Sequence, residues 1–191
     1  MILQRTVAPQ ASLVPLSEAK DHLRVDHDDE DEVIATLGEA ASRAVEEMVG
    51  RPLVTQTWKM TLETVAGRVT LPKTPVQGVT EIAYFDRDGA AQTAALPDFH
   101  VVGDDDGAFV EPKADRAWPA LASRPDAISI TFTAGYGDAE TDVPLELRQA
   151  AKLLIGHFYE HRQAVVIGTT AATVPMAVEH LVGLHRRGWI A

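Results

Sequence analysis

The chain contains no cysteine, which excludes disulfides, thiolate zinc sites and cysteine nucleophiles and leans towards a cytoplasmic setting. It is also short of basic residues. Lys and Arg number 17 against 28 Asp and Glu, a net charge of -11 and the wrong sign for gripping nucleic acid through its phosphates. No stretch approaches the ~20 apolar residues of a membrane span. The opening MILQRTVAPQASLVP lacks a basic segment followed by an apolar run, so a soluble chain not exported through a secretory signal is expected. Aromatics make up 6%, and Tyr84, Trp118 and Trp189 are not interleaved with basic residues as a base-stacking platform requires. No G-x-S-x-G elbow or phosphate-cradling G-x-x-x-x-G-K-[ST] occurs. AGYG (134–137) lacks the helix-entry context of a dinucleotide fingerprint and reads as a tight loop between strand and helix.

What is present is enough chain, 191 residues, for one sizeable domain or a domain carrying an insertion. Its periodicity divides into helical, β-rich and helical zones. A short helix is expected from Ser17 through Arg24. A longer one follows the acidic run DHDDEDE (26–32), with Val33, Ile34, Leu37, Ala40, Ala41, Ala44, Val45 and Met48 on its apolar face and Gly50 at its end. Carboxylates in a helix's first turn meet the positive end of its dipole, which accounts for the run without a metal. From Arg51 the period becomes two, with Trp58, Met60 and Leu62 on one face of a half-buried strand. Further strands are expected at 68–71, 80–86, 99–102, 108–111 and 127–133, separated by Asp88-Gly89, by the GDDDG turn (103–107) and by repeated prolines. Asp142 and Pro144 then announce a helix to about Arg162, with Leu147, Ala150, Ala151, Leu154, Ile155 and Phe158 inward. An uncharged segment containing Val165, Val166 and Ile167 precedes a last helix that starts near Thr173 and Pro175 and runs through His185.

One motif carries possible chemistry. HFYEH (157–161) fits the H-x-x-E-H spacing of a class of zinc peptidases, and two histidines four apart lie about 40° apart around a helix, close enough to share an ion. The same geometry turns Glu160 nearly opposite the core. A catalytic site would also need a further protein ligand and a bound water, and the later candidates Glu179, His180 and His185 do not share a face. Asp86-Arg87-Asp88-Gly89 and Asp104 to Gly107 lack the twelfth-position glutamate of a calcium loop and read as turns. No cofactor and no metal is expected. Leu145, Leu153 and Tyr159 lie off the main apolar face of the third-zone helix, which favours a surface completed by neighbours.

ISITFTAGYGDAETDVPLELRQAAKLLIGHFYEHR (128–162) resembles the C-terminal signature of tailed-phage head-tail connector proteins, in which a strand leads through a Gly-Tyr-Gly loop to a proline-started helix with an aromatic-rich end. LVPLSEAKDHLRVDHDDEDEVIATLGEAASRAVEEMVGRPLVTQTW (13–58) is similar to the opening of the same family, and VPMAVEHLVGLHRR (174–187) to its closing helix. The resemblance covers about half of the chain and leaves out the β-rich middle. It implies a non-enzymatic adaptor, with twelve copies in a ring, that joins the portal of a phage or gene transfer agent particle to the next tail-side component and continues the DNA channel. It brings no catalytic residues.

The expected architecture is therefore α+β: a helical connector core from 14–50 and 142–187, an inserted β-domain at 51–135 and a tail at 188–191. Expected partners are the portal protein, a downstream tail-side protein and other copies of the chain, with DNA passing unbound and no membrane involved. The expected location is the particle neck, after assembly in the bacterial cytoplasm. The closing residues Val178, Leu181, Arg186, Arg187 and Trp189 are the candidate partner contacts, as an aromatic and arginine cluster suits an interface anchor. The competing classes are a metal-dependent hydrolase using His157, Glu160 and His161, and a bacterial protein-interaction module.

Overall fold

The computed structural model describes residues 1–104, 107–161 and 175–186. They form a mixed α/β protein of four α-helices and two antiparallel sheets. The chain divides into two compact units, one of Met1–Pro9 with Thr55–Tyr136 and one of Gln10–Val54 with Gly137–Ala191.

The first unit is β-rich. Strands β1 (Ile2–Val7), β2 (Gln56–Leu62), β8 (Ile128–Ala134), β4 (Val76–Phe85) and β5 (Ala91–Thr93) lie side by side in that order in the larger sheet. The smaller sheet has the order β3 (Val69–Leu71), β7 (Ala108–Pro112), β6 (Phe99–Gly103). β8 is central because five of its seven residues are buried, and it pairs in register on both sides, with Ile130 opposite Met60 on β2 and Ile82 on β4. Met60, Ile82, Ile128, Ile130 and Phe132 of the larger sheet join Leu71, Phe99, Ala108 and Val110 of the smaller one in a single core. Trp58 and Leu62 pack on it from the same face of β2 as Met60, the alternation the sequence predicts. Trp118 closes one side, with its ring 4.9 Å from that of Phe99 and its indole N–H donating to the Gly67 carbonyl at 2.7 Å.

Two strands escape the sequence reading. β1 buries only Leu3 in part, so it has no alternating pattern and exists by pairing with β2. β5 has three exposed residues, too few for a period to show.

The second unit is helical. Helices α1 (Leu16–Leu23), α2 (Asp31–Val49), α3 (Leu145–Glu160) and α4 (Met176–Gly183) pack with α3 against each of the others and α2 against α1 and α4. The inward residues are Ile34, Ala41, Val45 and Val49 of α2, Leu147, Ala150, Ala151, Leu154 and Ile155 of α3, and Val178 and Val182 of α4. Phe158 is half-buried at the end of that face. The buried stripe of α2 is turned slightly from the predicted one, because Gly38 is inward while Val33 and Ala40 are exposed. Gly50 ends α2 with a left-handed φ of 73°, which glycine adopts without strain. Among the described residues no helix is long and apolar enough to cross a membrane.

Candidate functional site

The acidic run ahead of α2 has a structural use. Asp31 and Glu32 sit in the first turn of α2, where the helix dipole favours them. Asp28 and Asp31 also accept from Lys20 Nζ on α1 at 2.6 and 2.7 Å. The Lys20 ammonium beside Asp28 holds that carboxyl below its ordinary range, and the hydrogen bonds to Asp28 and Asp31 raise Lys20. On the other side of α1, Glu18 meets Arg148 at 2.8 Å and Lys152 at 3.0 Å, both on α3. These acids therefore tie helices together.

The turns are also self-contained. Asp86 Oδ1 accepts from the Asp88 and Ala90 amides at 3.0 Å each, Gln92 Nε2 donates to Oδ2 at 2.9 Å, and Gly89 has a φ of 82°. The hydrogen bond from Gln92, with those from the turn amides, holds the Asp86 carboxyl below its ordinary range. Between β6 and β7 the Gly107 amide donates to Asp104 Oδ1 at 2.9 Å. In the AGYG loop, Gly137 makes room for Asp142, whose Oδ2 accepts from the Ala139 amide at 3.0 Å just before α3.

HFYEH lies at the end of α3, with His161 as its cap. The two imidazoles lie 4.6 Å apart, and His161 Nδ1 is 2.8 Å from the His157 carbonyl oxygen. Glu160 is exposed, and Tyr159 is bonded through its hydroxyl to the Glu30 carboxylate ahead of α2. Among the described residues no three His, Asp or Glu side chains are grouped to hold a metal. In this arrangement the stretch ends a packing helix. A hollow of about 360 Å³ in the β-rich unit, lined by Glu63, Thr64, Val65, Pro119, Leu121, Ala122 and Ser123, has among the described residues a single carboxylate and no second titratable group to pair with it.

The predicted contact residues separate in the structure. Val178 is wholly buried and anchors α4, so its side chain is not a free contact as expected. Leu181 is half-buried and Arg186 exposed, whereas Arg187 and Trp189 lie outside the described residues, as do Val165, Val166 and Ile167. His185, just after α4, reaches Glu146 in the first turn of α3 at 3.4 Å. The apolar side chains left open here are Leu145, 69% exposed, Met176, 85%, and Leu184, 62%. Sequence reading found Leu145 from its angle on the helix but missed the other two, which flank the buried Val178 and Val182 at positions outside their four-residue repeat.

With this geometry in view, comparison with known proteins identifies the class. The family model for the head completion protein (HCP) matches residues 12–188, and the chain belongs to that family. Among solved structures it is similar to a chain in the neck of an empty GTA particle computed with C6 symmetry, at 26% identity and a TM-score of 0.82, and to one in the virion of a native gene transfer agent particle, at 26% and 0.83. A chain in the neck of the native GTA particle computed with C12 symmetry matches at 26% and 0.80, and all three alignments cover 100% of this chain and 98% of the other. No curated protein matches the chain.

Proposed function

We propose that the chain is a structural head-tail connector of a tailed phage or gene transfer agent particle. The observation that carries this reading is the likeness to neck components over the whole length of the chain, at 26% identity, together with the family match over residues 12–188. The chain acts by position rather than by chemistry. Its helical segments form the connector core and its β-rich segment is an insertion into that core. Copies assemble into a ring, twelve in number, in keeping with the C12 symmetry of a related neck. One side of the ring meets the portal protein and the other the next tail-side component. Leu181, Arg186, Arg187 and Trp189 supply the portal-side contact, and the buried Val178 anchors the helix that carries Leu181.

The net charge of -11 suits a conduit, because acidic walls repel phosphates and let DNA slide without sticking. Electron microscopy of the purified chain mixed with the portal of its own particle tests the assignment. A ring seated on the portal is expected, and a chain that neither forms a ring nor joins the portal would overturn it. The charge of the channel wall is read from the same reconstruction, and a basic or neutral wall would remove the repulsion idea while leaving the connector.

A further inference from the structure

The larger sheet ends in two unlike open edges. At one end is β1, six residues long, which among the described residues pairs with β2 on one side only. Leu3 alone is partly buried against the core, while Ile2 is 64% exposed and Val7 47%. A strand with so little burial and an unpaired row of backbone groups invites pairing with another chain. At the other end β4 is ten residues long, but β5 pairs only with Ala83–Phe85, and the Ile82 carbonyl accepts from Ala94 at 2.8 Å. The remaining six residues of β4, Val76–Glu81, pair with β8 on their inner side, and among the described residues no strand covers their outer side.

We infer that β1 of one copy adds to the open Val76–Glu81 edge of β4 in the neighbouring copy, in line with β5, so that the sheets join around the ring. The inference rests on the ring assembly proposed above. A cyclic ring needs a head-to-tail interface made of two different surfaces on each copy, and one sheet with two unlike edges supplies both. Strand direction fits as well. Neighbours alternate throughout the order β1-β2-β8-β4-β5, so β1 and β4 run oppositely. Copies related by a small rotation keep those directions, which makes the new pair antiparallel. The lengths match at six residues each. Both edges also carry register shifts, in β1 between Arg5 and Val7 and in β4 at Gln77 and at Thr80, and such bulges restrict which strand an edge accepts.

The absence of native cysteine makes cross-linking a clean test. Gln4→Cys or Arg5→Cys on β1 is combined with Thr80→Cys or Glu81→Cys on β4, so that both faces of the pleat are sampled. Rings assembled with the portal are treated with a short bismaleimide and run on a denaturing gel. At least one double variant should give a ladder reaching well beyond dimers, while each single variant stays monomeric. Dimers from a β1 cysteine alone would mean that β1 pairs with itself about a two-fold axis, and would overturn the inference. Rings that assemble normally yet give no ladder in any of the four double variants would overturn it too, leaving the connector assignment intact. Failure to form any ring, checked by native mass spectrometry of the unmodified chain with portal, would overturn both.

Discussion

Arg148 Nη2 lies 2.8 Å from Glu18 Oε1, joining α3 to the first turn of α1 across 130 residues of chain. Lys152, one turn further along α3, reaches the other carboxylate oxygen at 3.0 Å. Both cations are largely sheltered, with side chains 14% and 21% exposed. Glu18 is thus the point at which early and late segments of the helical unit are held together by charge.

The Lys152 ammonium beside it, with the Arg148 guanidinium behind, holds the Glu18 carboxyl below its ordinary value of 4.5. A carboxyl depressed in the folded state contributes stability that is fully present above its unfolded value and is lost as pH falls through the folded one. Because Glu18 is itself about a third exposed, Glu18→Gln should cost only about 0.5–1 kcal/mol at neutral pH. The gap between parent and variant should close as pH drops below the ordinary carboxylate range. Denaturant titrations at a series of pH values measure this, and a gap that stayed constant into acid would show that Glu18 acts by packing instead.

Two glycines should respond to alanine in opposite ways. Gly38 is in the middle of α2, and a methyl group there would meet the Ile155 side chain at 3.9 Å and the Val14 carbonyl oxygen at 4.0 Å, both ordinary contacts. Alanine also favours a helix interior over glycine by about 1 kcal/mol, so Gly38→Ala should raise the melting temperature. At Gly137 the same methyl would lie 2.2 Å from Asp142 Oδ2 and 2.5 Å from its Cβ, which the short loop into α3 cannot absorb. Gly137→Ala should destabilise by about 1–3 kcal/mol. Thermal melts of the two variants beside the parent decide both signs.

The sequence announces elements whose burial follows a period and hides those that depend on pairing. β8 and the inner face of α3 are legible because Ile128, Ile130 and Phe132, and Leu147, Ala151, Leu154 and Ile155, repeat at strand and helix spacing and are all buried. The start of β4 is obscured because Gly78 and two register shifts break the alternation, so the strand reads as beginning near Thr80 rather than at Val76. The inward place of Gly38 cannot be read from hydropathy, since a glycine has no side chain to weigh. Within the closing cluster, Leu181 is half-buried and Arg186 exposed. Val178 looks like them in sequence but points inward, because the four-residue step from Val178 to Val182 sets the buried stripe of α4.

The core of the β-rich unit should be least tolerant at Phe132. Its ring is fully buried on the central strand, opposite Trp58 on β2 and Val79 on β4. Phe132→Ala removes this volume where neighbours on both sides are fixed by backbone pairing, so collapse around the cavity is limited and a loss of about 3–5 kcal/mol is expected. Phe132→Leu, which keeps most of the volume, should cost clearly less. Urea unfolding monitored by tryptophan fluorescence separates the two. Equal losses would mean that the site relaxes and that the strand pairing does not confine it.

HFYEH yields the last prediction, because its spacing suggests zinc while its geometry assigns the same groups elsewhere. His161 Nδ1 is 2.8 Å from a carbonyl oxygen of its own helix, Glu160 is exposed, and no third ligand is grouped with the two imidazoles among the described residues. A zinc ion held by a protein needs three or four ligands in a tetrahedral arrangement, and a pair of helical histidines alone gives only weak, pH-dependent binding. Protein purified without chelator should therefore contain well under one zinc per chain by elemental analysis. His157→Ala should leave both the metal content and the melting temperature in excess zinc unchanged relative to the parent. Stoichiometric zinc that disappears in His157→Ala would instead make the end of α3 a metal site, and would require a ligand from beyond the described residues or from a neighbouring copy in the ring.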